Sequence, residues 1–158
     1  MPCVDVGDCY GRRMASRRRS RSAKIELLRG VSLFSACSNR ELTRIASLAD
    51  EVNVPEGRVL IRQGEVGREF YVIVEGKAKV LAPGKRAKTL GSGSGFGELS
   101  LFDQAPRSAT VTAQSDMRLL VLDSRSFSSL IAEVPSVARK LFRVMARRLR
   151  EAERDDTY

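Results

Sequence analysis

The sequence predicts a mainly β domain with helices at both ends. Between residues 51 and 123, short runs rich in Val, Ile, Leu, Tyr and Thr (EVNV, VLIR, FYVIV, KAKVL, AKTL, SATVTA and RLLVLD) are broken by turn signals at 55–57, 64–67, 75–76 and 83–84. Several short strands at this spacing indicate a sandwich or barrel. Before and after them, apolar residues recur at helical spacing instead.

Taken in order, residues 1–23 are rich in Arg and Ser and poor in apolar residues, as in RRMASRRRSRS. Such a segment buries too little surface to offset its ordering entropy, so it is expected to be a disordered basic tail, with the domain proper at 24–158. Residues 24–28 suggest a short helix, and the plug VSLF follows at 31–34. Ser38 and Glu41 have capping-box spacing ahead of a helix that places Leu42, Ile45, Ala46 and Leu48 on one face. Past the strands, Asp123 or Ser124 can cap SRSFSSLIAEV, and Pro135 suits the first turn of a last helix. That helix carries Val137, Leu141, Val144, Met145 and Leu149 along one face and Arg139, Arg143, Arg147, Arg150 and Arg154 along another.

The composition excludes several classes of function. There is no His among the 158 residues, which removes the commonest general base and the commonest zinc or haem ligand. The three cysteines, Cys3, Cys9 and Cys37, fit reduced thiols better than a disulfide framework. No acid–base pair, activated nucleophile or metal cluster stands out, so an enzyme is not expected, nor is a cofactor. No apolar run approaches the ~18 residues of a membrane span, and the N-terminal segment lacks the apolar centre of a signal peptide, so a cytoplasmic protein is expected. The net charge of +9 sits at the ends: residues 1–24 carry seven Lys/Arg against Asp5 and Asp8, and residues 139–158 carry seven against four acids, whereas the body between is near neutral. Contact of the basic tail with nucleic acid or an anionic membrane is a weak expectation of this pattern.

The stretch GSGSGFGELS at 91–100 invites comparison with phosphate-binding loops. It fails the dinucleotide fingerprint, because the sixth position from Gly91 is Phe96 and from Gly93 is Glu98. Gly76-Lys77 and Gly84-Lys85 are followed by Ala78 and Arg86, so neither makes a P-loop. A different constellation remains. Gly97 lets backbone approach a ligand closely; residues 98–101 can open a short helical turn whose first amides face an anion. Arg107 offers a two-pronged permanent cation. An ionised Glu98 accepts from sugar hydroxyls and repels phosphate. Together they suit a molecule with one compact phosphate and one free ribose hydroxyl, such as a cyclic nucleotide.

The run FGELSLFDQAPRSATV at 96–111 closely resembles the phosphate-binding cassette of the cyclic-nucleotide-binding domain family, found in the catabolite activator protein and in the regulatory subunit of cyclic-AMP-dependent protein kinase. The resemblance runs from about residue 28 to residue 149 and includes VSLF, SNREL, VPEGRVLIRQGEVG, FYVIVEG and LLVLDSRSF. It implies an eight-stranded antiparallel β-roll (a double-stranded β-helix, jelly-roll-like) with N-terminal helices and a C-terminal helix pair. It also implies that Glu98 takes the ribose 2′-hydroxyl, that Arg107 takes the cyclic phosphate, and that amides of Gly97, Leu99 and Ser100 complete the anion nest. Ser108 and Ala109 would adjoin phosphate or base, and Leu141, Val144 and Met145 are lid candidates over the base. Ser94 and Arg68 stand where the family often has Asp, so altered turns rather than lost binding are expected. The implied function is a regulatory sensor of cyclic AMP, with cyclic GMP less favoured, whose ligand repositions the last helix. A homodimer through that helix and an effector protein are the implied partners. The alternative is a catabolite-activator-like transcription regulator, or a regulatory subunit acting through a partner or the basic tail.

Overall fold

The computed structural model describes residues 20–157. Helix α1 (Ser20–Arg29) leads into a 3-10 turn (Ser32–Phe34) and helix α2 (Asn39–Leu48). Eight strands follow: β1 (Asp50–Val54), β2 (Val59–Ile61), β3 (Glu69–Glu75), β4 (Ala78–Leu81), β5 (Lys88–Leu90), β6 (Gly95–Phe96), β7 (Thr110–Ala113) and β8 (Met117–Asp123). A 3-10 turn (Glu98–Leu101) lies between β6 and β7, and helices α3 (Ser124–Glu133) and α4 (Pro135–Thr157) end the described chain. The strands form two four-stranded antiparallel sheets, ordered β1-β8-β3-β6 and β2-β7-β4-β5, the β-roll expected from the sequence. None of the described helices is long and apolar enough to cross a membrane.

The roll stands on a sheet with two buried faces. In β3, Phe70 and Val72 pack into the helical core with Leu28, Phe34, Phe127 and Leu141, whereas Tyr71 and Ile73 point into the roll. In β8, Leu120 and Leu122 join the helices and Leu119 and Val121 the roll interior. This is why FYVIV and LLVL read as unbroken apolar runs: a strand covered on both sides loses its polar alternation.

Helix α1 begins at Ser20, within the segment assigned to the tail; Arg21, Ser22 and Ala23 continue the helical pattern, with Ala and Arg both favourable there. The rest of the tail expectation, with Cys3 and Cys9, lies outside the described residues. Strand β6 was absent from the expected set, since it is two residues long and begins with a glycine. That glycine is structural: a Cβ at Gly95 would lie 2.7 Å from the Phe70 ring.

Both expected caps form. Ser38 Oγ accepts from the Glu41 amide while Glu41 Oε1 accepts from the Ser38 amide, and Asp123 accepts from the Ser126 amide at 3.0 Å. Glu41 has a second role that its spacing does not reveal. Its carboxylate is almost wholly buried and also accepts from Ser136 Oγ at 2.6 Å and from Lys140 Nζ, both in the first turns of α4. One side chain therefore caps α2 and fastens α4 to it. Burial pushes the Glu41 pKa up, but the bonds from Lys140, Ser136 and Ser38 outweigh it and hold the pKa at about 2. Beside it, burial and the Glu41 charge push the Cys37 thiol up to about 11, so it stays protonated and unreactive at neutral pH.

A carboxylate with a folded pKa below its unfolded value adds stability above the unfolded pKa and loses it as pH falls through the folded one. Denaturant unfolding should therefore show a stability loss on the order of 3 kcal/mol between about pH 4.5 and pH 2 that Glu41→Gln abolishes. An equal acid loss in the variant would assign the effect to other carboxylates.

Candidate functional site

The site forms where β6 leaves its sheet. Gly97 has φ 82°, the left-handed region, and turns the chain from β6 into the 3-10 turn that begins at Glu98. A side chain at 97 would be excluded on a second count, since its Cβ would lie 2.6 Å from Arg107 Nη1. The Ser100 amide closes the turn onto Gly97 O at 3.1 Å. The amides of Glu98 and Leu99 are thus the ones the turn leaves without an internal acceptor, while the Ser100 amide is engaged and its hydroxyl accepts from Arg107.

Arg107 is clamped from every side. Its amide donates to Glu65 O at 2.8 Å and its carbonyl accepts from the Gly64 amide at 2.9 Å. Its side chain, 9% exposed, runs across Gly67 so closely that a Cβ there would fall 1.7 Å from Nε. Nη1 donates to Ser100 Oγ at 2.6 Å and, more weakly, to Gly97 O at 3.4 Å; Nη2 donates to Glu69 O at 2.9 Å and lies 3.8 Å from the Glu69 carboxylate. These bonds fix the guanidinium plane before any ligand arrives.

A cavity of about 450 Å³ opens over this arrangement. Gly97, Glu98, Leu99, Ser100, Arg107, Ser108 and Ala109 all line it, so every cassette residue expected from the sequence converges here. Ile61, Val80 and Val111 supply an apolar wall. The volume falls within the range of small-ligand pockets. The lid candidates behave differently. Leu141 and Val144 are buried in the helical core, Met145 packs against that core, and none of the three lines the cavity. Helical periodicity defines an apolar face, but here the plug and α3 cover it rather than the ligand space.

The residue of α4 that does reach the site is Arg148. Its Nη1 donates to Glu98 Oε1 at 2.7 Å, and its Nη2 donates to Ser32 Oγ in the plug. Sequence reasoning missed it because Arg147 and Arg150 flank it on a helix dense in arginine, and nothing in the chain's order pairs positions fifty apart. Gly67 was missed for another reason: it reads as an ordinary turn residue, and only the packing of Arg107 reveals its role.

A buried, hydrogen-bonded arginine, a carboxylate and an apolar wall around one cavity are the parts expected of the resembled family. The family profile described as "Cyclic nucleotide-binding domain" matches residues 51–134, more than half of the chain. The chain belongs to the cyclic nucleotide-binding domain family. It is 33% identical over 130 residues to the CRP-like cAMP-activated global transcriptional regulator of Mycobacterium tuberculosis, covering 79% of this chain and 58% of that one. It is 34% identical over 122 residues to the cAMP-dependent protein kinase regulatory subunit of Schizosaccharomyces pombe, covering 77% and 30%. Among solved structures, the N-terminal domain of a transcriptional regulator from Streptomyces coelicolor aligns with TM-score 0.72 at 36% identity, covering 80% of this chain and 94% of that one. This cyclic nucleotide-binding domain thus spans less than three-fifths of the length of either curated relative described here.

In this domain the glycine at 67 is what lets Arg107 lie flat. Gly67→Val should evict the guanidinium from its slot. Phenylglyoxal labelling read by peptide mass spectrometry should then modify Arg107 in the variant and spare it in the unmodified chain; equal protection in both would contradict the packing role.

Proposed function

We propose that this domain binds a cyclic nucleotide, cyclic AMP ahead of cyclic GMP, and signals through α4. The observation that carries the proposal is the pairing of a pre-fixed Arg107 with Glu98 across one cavity, with Glu98 bonded to α4. The cyclic phosphate meets the Arg107 guanidinium and the amides at the start of the 98–101 turn. The ribose hydroxyl donates to Glu98. Cyclic AMP is favoured because both curated relatives compared here carry cAMP in their names; Ser108, on the cavity lining, leaves the base partly open.

The output follows from the shared carboxylate. Arg148 holds the Glu98 oxygen that the ribose uses, so ligand occupancy and the position of α4 are coupled through one group. A nucleotide that binds the two positions of α4 with different affinity shifts their populations, and by no more than that difference. Glu41 sets the pivot, since it fastens the first turns of α4 to α2 while the helix beyond Arg148 is exposed.

The exposed half of α4 also suits a second copy of the chain. Ala138, Phe142, Met145, Leu149 and Ala152 follow the four–three spacing of a coiled-coil seam, and Phe142 and Leu149 are each 63% exposed.

Isothermal titration tests the binding. Micromolar or tighter binding of cyclic AMP is expected, with Arg107→Ala weakening it about tenfold to a hundredfold through loss of roughly 1.5–3 kcal/mol of charge-assisted bonding. Absence of heat with either nucleotide at millimolar concentration would refute the proposal. For the seam, light scattering should give a dimer mass that Phe142→Glu with Leu149→Glu returns to the monomer; a monomeric parent chain would rule the seam out.

A further inference from the structure

The charges of α4 are sorted along its length. Residues 139–150 carry six Lys/Arg and no acid, whereas residues 151–155 carry Glu151, Glu153 and Asp155 against Arg154. The first turn of the helix holds no acid. This order runs against the helix macrodipole, which favours acids at the N-terminal end and bases at the C-terminal end. Pairs along the helix do little to offset it: Arg147 precedes Glu151, the weaker orientation at a spacing of four. Inside the domain, Glu41 holds Lys140 and Glu98 holds Arg148, but Arg139, Arg143, Arg147 and Arg150 stay exposed. The stability of a lone α4 does not account for the sorting.

The sorted charges border an apolar seam, Ala138, Phe142, Met145, Leu149 and Ala152, in which Phe142 and Leu149 are each 63% exposed. A parallel pair of such helices in register sets each block beside its own kind, bases against bases, and puts Phe142 on Phe142. An antiparallel pair does the reverse. One register places Phe142 against Ala152 of the second copy, and Met145 against Leu149 of the second copy, so the bulkiest seam residue meets a small one. The same register lays residues 151–155 beside residues 139–143 of the second copy. Along one edge of the seam it brings Arg139 to Glu153 of the second copy. Along the other edge stands Arg148, whose guanidinium Glu98 and Ser32 already hold. Shifting the pair by a heptad, to set Phe142 against Met145 of the second copy, moves the acidic stretch off the basic one.

We propose that α4 pairs with α4 of a second copy in antiparallel orientation, the acidic stretch 151–155 of each chain docking on the basic stretch 139–143 of the other. This rests on the homodimer seam and deepens it by setting its direction and register. The contact is two-fold and closed, so it stops at a dimer. Each exposed helix end is then braced by the part of the other helix that Glu41 fastens to its own domain.

Sedimentation equilibrium of the full chain, of Arg139→Glu, of Glu153→Arg and of the double variant tests the direction. Each single reversal sets like charges across the pair and should weaken dimerisation at least about fivefold. The double variant restores opposite charges and the parent net charge, and should dimerise within about twofold of the parent chain. Within one chain, or across a parallel pair, residues 139 and 153 lie about 21 Å apart along the helix. Losses that add in the double variant, or single variants that dimerise like the parent, would therefore overturn the antiparallel pairing and leave the seam standing. A monomeric parent chain would overturn both. Neither substituted residue lines the cavity, so nucleotide titration of the same samples tests the binding reading separately.

Discussion

Much of this domain depends on laying one arginine flat. The side chain of Arg107 crosses Gly67 with no space for a Cβ, and its guanidinium joins Glu69, Gly97 and Ser100. Those contacts come from the start of β3 and from the 97–100 stretch after β6, so one cation ties its own loop to two segments distant from each other in the chain. Its backbone is tied as firmly, through Gly64, Glu65 and the Val66–Pro106 bridge. The consequence is preorganisation. The entropy of ordering a long side chain, up to about 2 kcal/mol, is met on folding rather than on binding. A nearly buried charge is tolerable because its donors are matched with carbonyl, hydroxyl and carboxylate oxygens.

The same structure explains how such a pocket can be connected to a helix that never enters it. Strands β3 and β8 present one set of side chains to the roll and the alternate set to the helices. The site and α4 are therefore built on opposite faces of one sheet. Two polar links hold α4, and the second of them reaches the site. Glu41 fastens the start of α4 to α2, and Arg148, about two turns on, bonds Glu98 and the plug. With the first link buried and the second at the cavity, the exposed stretch of α4 beyond Arg148 is the part the fold holds least.

How far the sequence alone reveals this depends on the range of the interaction. The capping box at Ser38 and Glu41 is legible because it spans three residues. Gly97, Glu98 and Arg107 are legible because the turn and its arginine lie within eleven positions. The strands of the roll are legible from composition, except β6, where Gly95 is present to admit the Phe70 ring and looks like a loop residue. The partners that orient the site are invisible for the converse reason: Glu69 and Gly67 meet Arg107 across some forty residues, and Arg148 meets Glu98 across fifty. The apolar face of α4 is legible, but its covering is not. Leu141 and Val144 pack into the helical core, Leu149 faces outward, and no periodicity distinguishes the two fates.

The claim at the centre of this account is that Arg107 and Glu98 divide one ligand between them, phosphate to the first and ribose to the second. A crystal structure of the domain with cyclic AMP measures this directly. The account predicts a phosphate oxygen within hydrogen-bond distance of the Arg107 guanidinium, held as it is across Gly67, and the ribose 2′-hydroxyl donating to Glu98. A nucleotide bound with its phosphate away from Arg107, or with Glu98 still bonded only to Arg148 and apart from the ribose, would contradict it.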